Sequence, residues 1–298
     1  MQTEGHGNPQ TFTHGSHDRA RPPTVNLLWG LLIAVAFTAT TVTAMLLVRR
    51  TAPVGGYFSD GDRAAGVFGV LATGFSVLLG FIIFLAFQSY DDSRAGAATE
   101  ATIVAQMTQT AQFLPSEVSR QLTGELVCYA RSVAGAEWDA VDAGTFGNAI
   151  NPWGARMFLT IRSVQPATAT EQSAYDRWMD ETTQRQEARD ARLHSAEGII
   201  PVPLWIALVL LSLALFVFML FFADSGERAL TQGVLMGSVT VVITVLMMLV
   251  VFFNHPHGTG IGTLRPTEMQ RTLGLMETQL QVVGVTADPP CDERGVAR

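Results

Sequence analysis

The side chains best suited to chemistry are carboxylates and imidazoles that follow long apolar segments. Asp91, Asp92 and Glu100 come after the second such segment, and His255 and His257 come after the last. Acid–base catalysis needs a second group that shares a site with these carboxylates, and the sequence identifies none. A zinc site needs a third ligand near the two histidines, and none follows at a suitable spacing. We therefore interpret the histidines as structural.

Other polar motifs give weaker signals. Glu137 and Asp139 flank Trp138, which we interpret as a packing anchor with solvated neighbours. The sequence has no GxSxG, HExxH, glycine-rich phosphate loop or protein-kinase signature. It therefore predicts no catalytic residue, no cofactor and no metal site, and it argues against an enzyme.

The composition points to a membrane protein. Of the 298 residues, 48% are hydrophobic and 15% are charged, whereas soluble domains carry about 25% charged residues. All 19 basic residues are arginine, and the formal net charge is -7. The absence of lysine excludes Schiff-base and P-loop lysine chemistry, and an acidic chain without a basic cluster does not favour nucleic-acid binding.

Four long segments lack charged side chains, and each has the length of about 20 residues that crosses a bilayer. They predict an all-α integral membrane protein with four transmembrane helices, at 27–48, 65–90, 200–223 and 229–253. The predicted organisation is a disordered tail (1–24), a transmembrane hairpin (25–90), a helical extramembrane region (91–198), a second hairpin (199–254), an amphipathic segment (255–284) and a disordered tail (285–298).

Helical periodicity extends beyond the membrane. The second helix should continue from Asp91 towards Phe113, because Gly96 is the only helix breaker there. Three further apolar or mixed stripes have helical spacing. They are Leu122, Leu126, Tyr129 and Val133; Tyr175, Met179, Thr182, Gln186, Arg189 and Leu193; and Met269, Leu273, Met276 and Leu280.

Four spans place both termini and the 91–198 region on one side of the membrane. Arginines near the membrane ends number six on that side (Arg19, Arg21, Arg94, Arg189, Arg192, Arg265) and four on the other (Arg49, Arg50, Arg63, Arg228). Since arginine is enriched in cytoplasmic loops, we predict that the termini are cytoplasmic. We interpret Cys128 and Cys291, far apart in sequence, as free thiols in a reducing compartment.

The membrane segments carry two further patterns. Small residues predict close helix packing at Gly74, Gly80, Gly233 and Gly237. Leu79, Ile83 and Phe87 recur at every fourth position of the second helix, which fits either a bundle core or a hydrophobic constriction in a pore. Because a single four-helix bundle packs without a channel, a pore would require several subunits around a symmetry axis.

Several ordered motifs resemble one known family. They are Leu85-Ala86-Phe87 with Tyr90, Asp91, Arg94 and Glu100-Ala101; Tyr129, Val133 and Glu137-Trp138; Glu187-Ala188-Arg189, Arg192-Leu193, Ile200-Pro201 and Trp205; and Asn254-His255-Pro256, Gly258, Gly260 and Pro266. Over roughly residues 27–283 the sequence resembles the bestrophin-like domain family of bacterial membrane proteins, which is distantly similar to the bestrophin ion channels. Asn254 and His257 stand where that family usually has Asp and Phe.

The resemblance implies a protein of the bacterial cell membrane that forms a homo-pentamer around a central pathway for inorganic ions. The second helix would line this pathway, with Leu79, Ile83 and Phe87 at the positions of the apolar neck. The pore-mouth positions would be Gln88, Tyr90, Asp91, Arg94 and Glu100, with Arg94 placed to neutralise Asp91.

Two functions remain open from the sequence. The first is an oligomeric ion channel or channel-like pore in the lipid bilayer. The alternative is a non-conducting scaffold or sensor that binds a partner through the 91–198 region. The lack of charge within the spans supports this alternative, because polar groups inside the membrane usually mark transport paths.

Overall fold

The computed structural model describes residues 27–143, 151–196, 198–257, 260, 262–284 and 288–298. The helices within these ranges are α1 (Leu27–Thr51), α2 (Gly61–Ala111), α3 (Ser116–Ala134), α4 (Ala136–Asp142), α5 (Trp153–Arg162), α6 (Ala169–Leu193), α7 (Val202–Leu220), α8 (Ala229–Asn254) and α9 (Thr267–Val283). The N-terminal tail predicted at 1–24 lies outside the described residues.

Four of these helices, α1, α2, α7 and α8, are long and apolar enough to cross a membrane, which confirms the predicted fold class. Helix α1 packs along α8, and α2 packs against both α7 and α8. Gly233 and Gly237 of α8 lie within 3.7 Å of Val42 and Thr38 of α1, measured from the position that a Cβ would take. Close helix packing at these two glycines follows from their lack of a side chain.

Helix α2 continues without a break from the membrane into the extramembrane body, which we define as α3–α6, α9 and the second half of α2. It has 51 residues and is therefore about 75 Å long. Its N-terminus is capped by Asp60, whose carboxylate accepts a hydrogen bond from the Arg63 backbone at 3.0 Å. The predicted continuation past Asp91 is confirmed.

Helix α6 runs antiparallel to the outer half of α2. The Ser93 hydroxyl donates to the Ala191 carbonyl at 3.2 Å near the membrane, and Thr110 donates to Glu181 at 3.1 Å at the far end. Between them, Gly96 permits the closest approach, because a Cβ there would lie 2.6 Å from the Arg192 backbone nitrogen. Gly96 therefore serves helix packing and does not interrupt α2.

The α3 and α9 stripes lie in the core of the body. Leu122, Leu126, Tyr129 and Val133 are all buried on α3. On α9, Met269, Met276 and Leu280 are buried, and Leu273 packs against them at the edge of the core. Both helices therefore bury the faces that the sequence predicts.

The buried face of α6 is displaced by one position from the predicted stripe. Its buried residues are Ala174, Trp178, Glu181, Arg185, Ala188 and Arg192. Three of these six residues are charged, so hydrophobic periodicity could not identify the face. The charged side chains can be buried because α2, α3 and α4 supply partners for several of them.

Cys128 and Cys291 form a disulfide across a sequence separation of 163 residues, so the prediction of free thiols is wrong. Residues 288–298 lie against the body, in contrast to the predicted disordered tail. The Trp153 indole donates to the Gly295 carbonyl at 2.7 Å. Gly295 has φ +77°, and any Cβ there would collide with the Ser132 backbone. The disulfide and the contacts of residues 288–298 leave no periodic pattern in the sequence, so periodicity could not predict them.

Candidate functional site

One face of α2 is exposed in the protomer. Its residues are Gly80, Phe84, Phe87, Gln88 and Asp91. The opposite face is buried and carries Phe75, Leu79, Ile82 and Ala86. A Cβ placed on Gly74 or Gly80 would meet no atom of the described residues within 4 Å. The close packing predicted at these two glycines is therefore absent within the described part of the protomer.

The three neck candidates do not share one face. Leu79 is 1% exposed and lies in the intramembrane core, Ile83 lies at the edge of that core, and Phe87 is 47% exposed. Two steps of four residues rotate the side chain by about 80° around a helix of 3.6 residues per turn. Leu79 is therefore excluded from a pore wall, since such a wall must be exposed in the protomer.

Aromatic side chains surround the membrane end of this face. The Phe87 ring lies 5.4 Å from the Phe253 ring of α8 in an edge-to-face arrangement. Tyr90 packs on Phe253 at 5.6 Å and on Phe252 at 6.2 Å, and its hydroxyl donates to the Gly262 carbonyl at 2.8 Å. These contacts fix the orientation of α2 relative to the end of α8.

The predicted mouth residues have separate environments. Gln88, Asp91 and Arg94 are exposed, and Asp91 forms no ion pair with Arg94 within 4.0 Å. Glu100 lies elsewhere: it is fully buried in the extramembrane body, at 0% exposure. The prediction that Glu100 lies at an exposed pore mouth is therefore wrong, because its side chain faces α3 and α6.

A buried ionic cluster forms around Glu100 and Arg192. The Arg192 guanidinium donates to Glu100 at 2.5 Å and to Glu137 at 2.6 Å, and all three side chains are at most 1% exposed. The Tyr129 hydroxyl donates to Glu100 at 2.5 Å. Arg192 therefore links α6 to α2 and α4 through charge-assisted hydrogen bonds, which are among the strongest in proteins.

Further side chains surround the Glu100–Arg192 ion pair. Glu137 also accepts a hydrogen bond from Asn151 at 2.9 Å and lies 3.3 Å from Arg189. Trp138 is buried, which confirms its interpretation as an anchor, but Glu137 is buried beside it and not solvated. The Trp138 ring lies 5.7 Å from His257, so the segment after α8 also packs on the cluster.

Burial and neighbouring charge alter the ionisation of the cluster. Burial alone would lower the pKa of Arg192, but Glu100 and Glu137 raise it above its ordinary value. Burial, reinforced by the Glu100 charge, raises the pKa of Tyr129. Burial and then Arg192 lower the pKa of His257 to about 4. Arg192 therefore stays charged at neutral pH, and the His257 imidazole is neutral.

The histidines after α8 have structural surroundings. His257 Nε2 lies 3.4 Å from the Ser195 hydroxyl. The Asn254 side chain accepts hydrogen bonds from the backbone of Ile199 and Ile200, both at 2.9 Å, and so fixes the entry to α7. Within the described ranges, no group of three His, Cys, Asp or Glu side chains has the geometry for a metal ion.

Residues from several of the sequence motifs meet in the buried ionic cluster. Glu100, Tyr129, Glu137, Trp138 and Arg192 come from separate parts of the sequence and meet in one cluster. Reasoning from sequence did not pair Glu100 with Arg192, 92 residues away. The signal in the sequence was that both residues belong to the motifs that resemble the bestrophin-like family.

The fold and these sites define a four-span helical membrane protein whose second helix extends into an all-helical body. The family model of the Bestrophin-like domain matches residues 35–262. The chain therefore belongs to the bestrophin-like family.

Solved structures agree with this fold. A bacterial bestrophin homologue from Klebsiella pneumoniae, solved by Zn-SAD phasing, is 13% identical with a TM-score of 0.62, over 88% of this chain and 100% of that chain. A single-substitution variant of a bacterial bestrophin homologue from the same organism is 13% identical with a TM-score of 0.60, over 87% and 99%. No curated protein sequence matches the chain.

Proposed function

We propose that this chain forms an oligomeric ion channel or channel-like pore, lined by the exposed face of α2. The observation that carries the proposal is the composition of that face, where Gly80, Phe84, Phe87, Gln88 and Asp91 are exposed in the protomer. A lipid-facing surface requires neither glycine nor polar side chains. Ile83 and Phe87 remain candidates for the constriction, and Leu79 does not. The proposed role requires no enzymatic step.

The proposed pathway lies between protomers, because the intramembrane core of one protomer is packed with Phe75, Leu79, Ile82 and their neighbours. The family resemblance makes a homo-pentamer in the lipid bilayer the first arrangement to test. Native mass measurement in detergent decides this point. A monomer would favour the alternative, a scaffold or sensor whose body binds a partner.

Replacement of the exposed ring is the direct test of conduction. We expect Phe87→Ala to raise ion flux in liposomes by about tenfold, equivalent to a barrier lower by about 1.4 kcal/mol, because loss of an apolar ring weakens a dewetting constriction. Ile83→Ala should have a smaller effect in the same direction, because Ile83 is only partly exposed. Flux is measured with separate cation and anion gradients.

Leu210→Ala on α7 is the control for the flux assay. Leu210 is 59% exposed on a helix that does not form the proposed pore face, and its loss should leave flux unchanged. Absence of flux in every variant, or equal flux in all of them, contradicts the proposal.

Two features of the body bear on the membrane orientation. Arg189 and Arg192 are committed to Glu137 and Glu100 in the body, so they do not act as free positive charges beside the membrane. The arginine count then becomes four against four. The Cys128–Cys291 disulfide is typical of an oxidising compartment. We propose that the body faces the extracytoplasmic side of the cell membrane.

Cysteine labelling tests this orientation in cells. In a Cys128→Ser, Cys291→Ser background, we expect a membrane-impermeant maleimide to label Ser163→Cys in intact cells. The matched variant Ser59→Cys, in the exposed connection between α1 and α2, should react only after permeabilisation. The reverse pattern would place the body in the cytoplasm.

A further inference from the structure

A cavity lies on the extramembrane body where α6 passes the start of α5. Its volume is about 420 Å³, and its wall includes Arg185, Arg189, Thr182, Gln186 and the Tyr129 ring. The cavity is open to the surface on one side, and it is separate from the exposed face of α2.

Arg185 is the unusual member of this wall. It is 3% exposed, and its guanidinium stacks on the Tyr129 ring at 4.5 Å. Among the described residues, Arg185 has no ion pair and no hydrogen-bond acceptor, and its buried Nε is unpartnered. A Cβ at Gly154 would lie 3.4 Å from both terminal nitrogens of Arg185, so the chain leaves room for this guanidinium.

The nearby carboxylates already have other partners. Glu100 and Glu137 bind Arg192, and Glu137 also lies beside Arg189. Glu181, one turn before Arg185, binds Arg177 at 2.8 Å and accepts from Thr110. Glu181 uses only Oε1 in these contacts, and its Oε2 has no partner. None of the described carboxylates forms an ion pair with Arg185 within 4.0 Å.

A buried charge without an ion-pair partner is unfavourable. A lysine could respond by losing its proton, but a guanidinium cannot deprotonate in a protein. The stacking on Tyr129 offsets part of this cost. Since no described carboxylate pairs with Arg185, the cavity is suited to a bound anion.

We propose that this cavity binds a small oxyanion, namely the carboxylate or phosphate group of a soluble compound, with Arg185 as its principal partner. The planar fork of a guanidinium matches the two oxygens of such a group. Thr182 and Gln186 supply neutral donors in the same wall. The volume exceeds what a single chloride ion would fill, which favours the larger ligand class.

The test uses the full-length protein purified in detergent, titrated by calorimetry at constant ionic strength. The probes are inorganic phosphate, succinate and chloride, which separate the two oxyanion sources from a simple halide. We expect saturable binding of phosphate or succinate at one site per protomer, and a higher unfolding temperature at saturation.

Arg185→Gln should weaken this binding by about 10–100-fold, the range expected for a lost charge-assisted hydrogen bond. Arg185→Lys keeps the charge without the fork and should give an intermediate loss. Arg162→Gln, an exposed arginine on α5, makes the same charge change and should bind as the parent does. No saturable oxyanion binding, chloride binding alone, or equal binding by Arg185→Gln would overturn the proposal.

Discussion

Arg192→Ala is expected to lower the free energy of unfolding of the extramembrane body by about 3–5 kcal/mol, the usual cost of breaking a buried ion pair from one side. The substitution leaves Glu100 and Glu137 buried without their shared cation. It also removes one of the links that hold α6 to α2 and α4. Denaturant unfolding of the detergent-solubilised protein, followed by tryptophan fluorescence, measures the change, because Trp138, Trp153 and Trp178 are buried in the body.

Arg120→Ala provides the matched control for this effect. Arg120 pairs with Glu117 one turn away on α3, and both side chains are more than half exposed. Exposed pairs contribute about 0–1 kcal/mol, so this variant should unfold almost as the parent does. An Arg192→Ala variant that is no less stable than Arg120→Ala would show that the buried cluster does not stabilise the body.

Cys291→Ser is expected to cost about 2–5 kcal/mol, because a disulfide restricts the unfolded chain. The bond closes a sequence separation of 163 residues. The transmembrane helices already restrain the chain within that interval, which favours the lower part of the range. The loss should also release residues 288–298 from α3 and α5, and mass spectrometry after limited proteolysis detects that release.

Reduction supplies an independent check on the disulfide prediction. Dithiothreitol should destabilise the parent to the level of Cys291→Ser and should leave Cys291→Ser unchanged. The double variant Cys128→Ser, Cys291→Ser should have the same free energy of unfolding as Cys291→Ser alone. Two free thiols in the unreduced parent, or no response to dithiothreitol, would contradict the bond.

Local patterns predicted much of the fold. The α3 face at Leu122, Leu126 and Tyr129 is buried as its spacing indicates. The continuation of α2 past Asp91 was also predictable, since Gly96 is the only helix breaker between Asp91 and Phe113. The α6 face was not, because Glu181, Arg185 and Arg192 are buried there with charges that hydrophobic periodicity treats as solvated.

Local patterns also failed to identify which α2 residues form the exposed candidate pore face. Spacing alone grouped Leu79 with Phe87, yet the helix rotates between them and the neighbouring helices bury only the first. Whether a side chain on α2 faces protein or open space depends on where those helices lie. The glycines behave likewise, since Gly233 and Gly237 meet α1 whereas Gly74 and Gly80 meet none of the described residues.

The sequence by itself determined a four-span membrane protein with a helical body, because span length, missing charge and helical periodicity are properties of short stretches of chain. Only the tertiary structure decided that Glu100 meets Arg192, that Cys128 meets Cys291, and that Arg185 has no carboxylate partner among the described residues. These outcomes join residues many turns apart, and their energies depend on burial and distance, which no local pattern specifies.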